Sequence, residues 1–223
     1  MGFMQTVSER SGAANTTYVY RLCKRIVDIA GSIMLLFLCS PLLLIIAYRL
    51  SKQEGSPIFQ RELRTGRDFA PFVMYSFRIT TIPSKVIRAL PPHPFPSNWE
   101  HGVPNDFTFI PHQALYTPIG LQLKKYKLNK LPQLINVLKG DMSLIGPSPE
   151  YPEVTAHYNN EQQQRLFVKP GFTGYTQVNG FSNQQHDAKI VHDLYYVEHC
   201  SLTFDFTIMY ESIRRLFQRK KRR

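Results

Sequence analysis

Cysteine and acidic residues are what this sequence has least of. Its three cysteines, Cys23, Cys39 and Cys200, stand far apart in 223 residues. That spacing excludes a disulfide framework and a cysteine zinc site, and suits a reducing compartment. Asp and Glu number 16 against 27 Lys and Arg, leaving a formal charge of +11 and a pI near 9.7. Such a surplus asks for an anionic partner: phospholipid, nucleotide or nucleic acid. No Walker loop or dinucleotide fingerprint is present, and no small-residue cleavage site follows the apolar N-terminal run, so a cleavable signal is not expected. The length allows one domain with a real core, or one domain and a membrane element.

One long hydrophobic run is present. Ile29 to Tyr48, IAGSIMLLFLCSPLLLIIAY, is 20 residues without a charge, just enough to cross a bilayer. A single spanning helix is one reading. A helix that enters and leaves on the same face is the other. It is favoured by Ser40-Pro41 in the middle of the run and by cations at both ends, Arg21, Lys24 and Arg25 before and Arg49 and Lys52 after. Asp28 beside Lys24 and Arg25 reads as an interfacial ion pair. Residues 1–20 read as a flexible N-terminus and 21–52 as helix, break, helix.

Two β-rich runs flank Arg67-Asp68 and predict a hairpin. Residues 79–118 hold eight of the 16 prolines and no period, which predicts a long loop. His93, His101 and His112 lie in it without metal-ligand spacing, and Phe95 and Trp99 read as anchors at the protein or membrane surface. Leu131, Leu134, Ile135 and Leu138 then recur at helical spacing, with Pro132 at the start and Gly140 as the stop. Asn129 and Lys130 stand just upstream of that helix. The last helix would put Phe206, Met209, Ile213, Leu216 and Phe217 on one face. With the basic run from Arg219 to Arg223 it reads as an interfacial helix with a polybasic tail. Nothing else supports nucleic acid.

The stretch LNKLPQLINVLKGDMSLIGPSP, Leu128 to Pro149, resembles the signature of the bacterial sugar transferases, the monotopic polyprenyl-phosphate phosphoglycosyl transferases. The match runs through Leu131, Pro132, Gln133, Leu134, Asn136, Val137, Leu138, Gly140, Asp141, Met142, Ser143, Leu144, Gly146, Pro147 and Pro149. Arg64, Gly66, Pro71, Phe72, Phe77 and Arg78 match a second block, and Lys169 to Gly180 a third. Asp193, Tyr196, Ser201, Leu202 and Asp205 match a fourth. The departures are specific. Asn129 and Lys130 replace the catalytic Asp-Glu pair, Ser148 replaces an Arg, Glu62 a Gln, Ser76 a Lys, Ile79 a Ser and Phe181 an Arg.

The resemblance implies an α+β fold: a mainly helical monotopic membrane protein with a re-entrant N-terminal helix, a small β-hairpin and amphipathic interfacial helices. Residues 53–223 would form the cytoplasmic domain, at the inner face of a bacterial cytoplasmic membrane. It also implies transfer of a sugar 1-phosphate from a UDP-sugar to undecaprenyl phosphate through an attacking Asp, with Mg²⁺ near the Glu. Asn129 has no anionic oxygen to attack with, and the ammonium of Lys130 has only donors, so neither the activity nor the metal is expected here. The candidate ligand and phosphate contacts are Arg64, Arg78, Lys130, Asp141, Ser148, Lys169 and Gln177. Three readings remain open: a pseudoenzyme that binds a ligand or partner, an active transferase with altered chemistry, and a basic membrane-surface scaffold. A second copy or a glycosyltransferase is the protein partner each would accommodate.

Overall fold

Helix is the dominant element of the computed structural model, which describes residues 18–81, 99, 102–104, 116–180 and 186–221. In chain order come α1 (Tyr18–Glu54), β1 (Phe59–Thr65), β2 (Pro71–Phe77), α2 (Pro118–Lys125) and a 3₁₀ turn (Leu128–Lys130). Next are α3 (Gln133–Lys139), β3 (Ser143–Ile145), α4 (Pro152–Thr155), α5 (Asn160–Gln163), β4 (Gly171–Thr173), α6 (Tyr175–Val178), α7 (His186–His199) and α8 (Leu202–Lys221). The expected hairpin is β1 against β2, antiparallel, with Phe59 opposite Phe77 and Thr65 opposite Pro71. A parallel pair, β3 with β4, was not foreseen; Ser143 lies beside Gly171 and Ile145 beside Thr173. The backbones approach so closely here that a Cβ on Gly171 would overlap the main chain of Gly146, and one on Gly146 the Lys169 carbonyl, which is why both positions need glycine.

Helix α3 sits at the centre of the core, with Leu134 and Val137 fully buried against Met142, Ile145, Tyr196 and Ile208. The expected stripe is turned from where periodicity put it. Ile135 is 39% exposed, while Gln133 and Asn136 are buried. The cause is polar. The Asn136 amide donates to the Val73 carbonyl at 2.7 Å and accepts from the Tyr75 N–H at 3.0 Å, pinning α3 to β2. In a buried setting such a satisfied amide outranks one more apolar contact. Gly140 ends the helix at φ +96°, and Arg25 of α1 donates to the last carbonyls, Val137 at 2.6 Å and Leu138 at 2.7 Å.

Helix α1 runs through Ser40-Pro41 without leaving the helical state; the expected break is no stretch of non-helical chain. Pro41 has no N–H for the Phe37 carbonyl, and the Ser40 hydroxyl donates there instead at 2.7 Å. Asp28 corrects another expectation. It is 4% exposed and accepts from the Ser143 hydroxyl at 3.0 Å and the Leu144 N–H at 2.9 Å. Lys24 pairs instead with Asp205 at 2.7 Å. At the other end Ile46 and Leu50 pack on Phe77 and Leu123, and buried Arg78 donates to the carbonyls of Glu54 and Gly55. Both ends of α1 therefore rest on the same body. Between them only 11% of the most apolar window is buried within the protein, and Phe37 and Leu44 are 79% and 72% exposed.

Thr80 bridges to Tyr116, so the two ends of the proline-rich segment meet. Trp99 is not a surface anchor: it is buried with Val154, Tyr158 and Ile190, edge-on to the His157 ring at 5.5 Å. Phe95, His93, His101, His112, Phe181, residues 1–17 and 222–223 lie outside the described residues. On α8, Ile208 faces the core and Met209 packs beside it, while Phe206, Tyr210 and Ile213 are exposed. The side chains of Leu216 and Phe217 lie outside the described residues.

Candidate functional site

Three of the candidate side chains, Arg64, Ser148 and Gln177, meet at the segment Ser148–Tyr151. Side chains alternate along a strand, so Glu62 and Arg64 of β1 share a face. Arg64 pairs with Glu62 and donates to it from Nε at 3.1 Å, reaches the Pro149 carbonyl at 3.4 Å, and stacks 3.5 Å from the centre of the Tyr151 ring. Gln60 donates to the other Glu62 oxygen at 2.7 Å. Burial pushes the Tyr151 phenol up to about 12. From α6, Gln177 donates to the Ser148 hydroxyl at 2.9 Å.

Asn129 and Lys130 lie half-buried in the 3₁₀ turn that leads into α3. The Lys130 backbone N–H donates to the Lys127 carbonyl at 3.3 Å, while its ammonium has no hydrogen bond or ion pair among the described residues. Burial first, then Lys127 and Arg64, push its ammonium down from 10.5 to about 8, against the pull of Glu62. Lys130 and Arg64 are thus two neighbouring cations that one carboxylate does not fully neutralise. An anion with several oxygens, such as a diphosphate, is the ligand that chemistry favours.

The other candidates lie elsewhere. Lys169 and Asp141 belong to the C-terminal end of α3, where the Lys169 ammonium comes near Gly140 and Asp141 accepts from Asn136 at 3.1 Å. That is the opposite end of α3 from Lys130. Arg78 is buried away from these residues and donates to the carbonyls at the end of α1. Sequence reasoning missed Arg165, which ties the site together. It is 2% exposed, and donates to Tyr158 Oη at 2.6 Å, the Ser148 carbonyl at 2.9 Å and Asp193 at 2.5 Å. Thr176 donates to the second Asp193 oxygen at 2.6 Å. Its polar neighbourhood, NNEQQQR, carries no apolar period, and Asp193 alone had been singled out.

The residues at the dyad positions do not fit a divalent cation. Lys130 offers no lone pair when charged, Arg64 adds a second positive group, and both Glu62 oxygens are already engaged.

The family described as bacterial sugar transferase matches residues 19–219. The chain belongs to that family. It is 33% identical over 202 residues to a protein of Salmonella typhimurium named undecaprenyl-phosphate galactose phosphotransferase, a match covering 89% of this chain and 41% of the relative. It is 30% identical over 195 residues to an uncharacterized sugar transferase of Bacillus subtilis, covering 87% of each. A Xanthomonas campestris protein named UDP-glucose:undecaprenyl-phosphate glucose-1-phosphate transferase is 29% identical over 217 residues, 94% of this chain and 42% of the relative. The chain thus spans about two fifths of the Salmonella and Xanthomonas proteins and most of the Bacillus one.

Proposed function

We propose that this sugar transferase homologue is a monotopic protein on the cytoplasmic face of the bacterial inner membrane, where it binds a nucleotide-sugar or lipid phosphate and does not transfer it. The observation that carries this is Lys130, next to Asn129, in electrostatic reach of Arg64 and Glu62. The site keeps phosphate-binding charge but has no carboxylate at the attacking position. Relatives named for UDP-sugars and undecaprenyl phosphate supply the ligand classes. Lys130 and Arg64 would hold the diphosphate, Ser148 and Gln177 would donate hydroxyl and amide hydrogen bonds, and the tyrosine under Arg64 would fix its fork.

The decisive experiment has two arms on purified protein: transfer of label from UDP-sugars to undecaprenyl phosphate, and equilibrium binding of the same UDP-sugars. Binding without transfer is the expected result; absence of both would favour the membrane scaffold. Transfer in the wild type would instead favour altered chemistry, with another carboxylate as the nucleophile. Binding should be unchanged by EDTA.

The Lys130 ammonium gives this reading a pH signature. Its folded value, about 8, is below the ordinary 10.5, so the unfolded chain holds more protons between those values and ligand-free stability rises with pH there. Anion binding needs the charged form and falls over the same range. From pH 7 to 9.5, UDP-sugar affinity should drop about tenfold while the ligand-free protein gains stability. In Lys130→Met both trends should shrink, with a gain of about 1 to 3 kcal/mol at pH 7 in the absence of ligand. Parallel slopes in wild type and variant would sink the assignment of Lys130.

The re-entrant course of α1 is supported by its two anchored ends. A helix crossing the bilayer would carry Arg78 and Leu50 away from Asp28 and Arg25, yet all four contact one body. Cysteines introduced at Arg21 and Lys52 should both be labelled from the cytoplasmic side by a membrane-impermeant maleimide. Labelling from opposite sides contradicts this course.

A further inference from the structure

Near the start of α1, at the opposite end of α3 from Asn129 and Lys130, a cavity of about 140 Å³ opens among Arg21, Lys24, Arg25, Arg67 and Lys169. Asp28 is the one carboxylate among its lining residues, and it is turned toward Ser143 and Leu144. The charges are unevenly matched. Arg25 is committed to two carbonyls, Lys24 to Asp205, and Arg67 to exposed Asp68. Lys169 makes no hydrogen bond or ion pair among the described residues. Burial, then Arg25 and Arg67, push its ammonium down from the ordinary range. Asp28 and Asp141 pull the other way, yet a half-buried ammonium beside two guanidinium groups is a place where a further anion is electrostatically favoured.

We propose that this cavity is a second anion site, built for the phosphate of an anionic membrane lipid. Phosphate offers several oxygens to guanidinium forks and an ammonium at once. The position chooses the source. Arg21, Lys24 and Arg25 lie on the first turns of α1, and the apolar stretch that the protein leaves uncovered follows within about two turns. Cations just outside such a stretch lie at headgroup depth. The site is separate from the dyad positions and does not depend on whether those bind or transfer.

The test reads the reactivity of Lys169 in the full chain, reconstituted in nanodiscs of phosphatidylcholine alone or with phosphatidylglycerol. A neutral acylating reagent and mass spectrometry give its labelling rate, with Lys189 on α7 as the internal reference. Phosphatidylglycerol should slow Lys169 at least fivefold relative to Lys189. The variant Arg67→Ala, at the exposed hairpin turn, should lose most of that protection while staying in the membrane. A Lys169 rate indifferent to phosphatidylglycerol overturns the site. Protection that survives Arg67→Ala overturns it as well. Protection by inorganic phosphate in phosphatidylcholine discs, with none from phosphatidylglycerol, overturns the lipid assignment.

Discussion

Replacing Arg165 with methionine is expected to destabilise the protein by about 3 to 5 kcal/mol, the range for removing one partner of a buried ion pair. The size follows from what the change leaves behind. Asp193 would be a carboxylate 1% exposed with Thr176 as its remaining partner, and the Ser148 carbonyl and Tyr158 hydroxyl would lose their donor. Burial already pushes the Asp193 carboxyl up, against Arg165 and Thr176, so the orphaned acid would take up a proton. Arg165→Lys should recover little, because one ammonium cannot reproduce two forked donors serving three acceptors. Arg165→Met with Asp193→Leu should recover much of the loss, since the unpaired charge is gone. Urea unfolding in detergent, followed by the fluorescence of Trp99, measures all three. A loss below about 1 kcal/mol in the first variant would show that the pair is not structural. Because Arg165 also holds Ser148, UDP-sugar binding should fall along with stability.

The second large effect is repair of catalysis. Asn129→Asp and Lys130→Glu restore a nucleophile and a carboxylate, but they set the new Glu beside Glu62, a like-charged neighbour. Glu62→Gln removes that conflict and leaves Arg64 free to pair with the restored acid. Ser148→Arg returns a cation for the diphosphate. The double variant should transfer little, since misplacement of the diphosphate alone costs about a hundredfold. The fourfold variant should exceed wild type by about a thousandfold, equivalent to about 4 kcal/mol of barrier. Radiolabel transfer from UDP-sugar to lipid phosphate decides it. Robust transfer by the double variant would show that Ser148 and Glu62 are dispensable departures; equal rates in wild type and the fourfold variant would remove the dyad from the argument.

The parts of this molecule legible in the sequence were those that rest on local rules. The β1–β2 hairpin followed from alternation around Arg67-Asp68, and α3 followed from Pro132 and Gly140 as punctuation. Rotation of α3 about its axis did not follow, because it is set by the Asn136 amide reaching β2, some 60 positions away. Pairing of β3 with β4 was hidden for the same reason: two three-residue strands carry almost no period, and glycine contact between them is visible only in space. At the site, Arg64, Ser148 and Gln177 lie around Pro149 and Tyr151, with Lys130 an electrostatic neighbour of Arg64. Lys169 and Asp141 sit in the same motifs yet at the far end of α3, since a helix carries neighbours in sequence along its axis. Arg78 reads like a phosphate contact in sequence, and in space it is buried and donates to the carbonyls of Glu54 and Gly55.

The anchoring of α1 at both ends sets an order of events during synthesis. Lys24 finds Asp205 across 181 positions, and Asp28 finds Leu144 across 116. At about 5 to 20 residues per second, roughly 10 to 35 s separate the emergence of Lys24 from that of its partner. During that interval the uncovered apolar stretch has no domain to rest on, so lipid is its first stable surroundings. The body formed by the rest of the chain then closes on a helix already seated, and α8 locks α1 through Asp205 and Lys24. Refolding of the finished chain should accordingly be far more efficient in the presence of bilayers than in buffer alone.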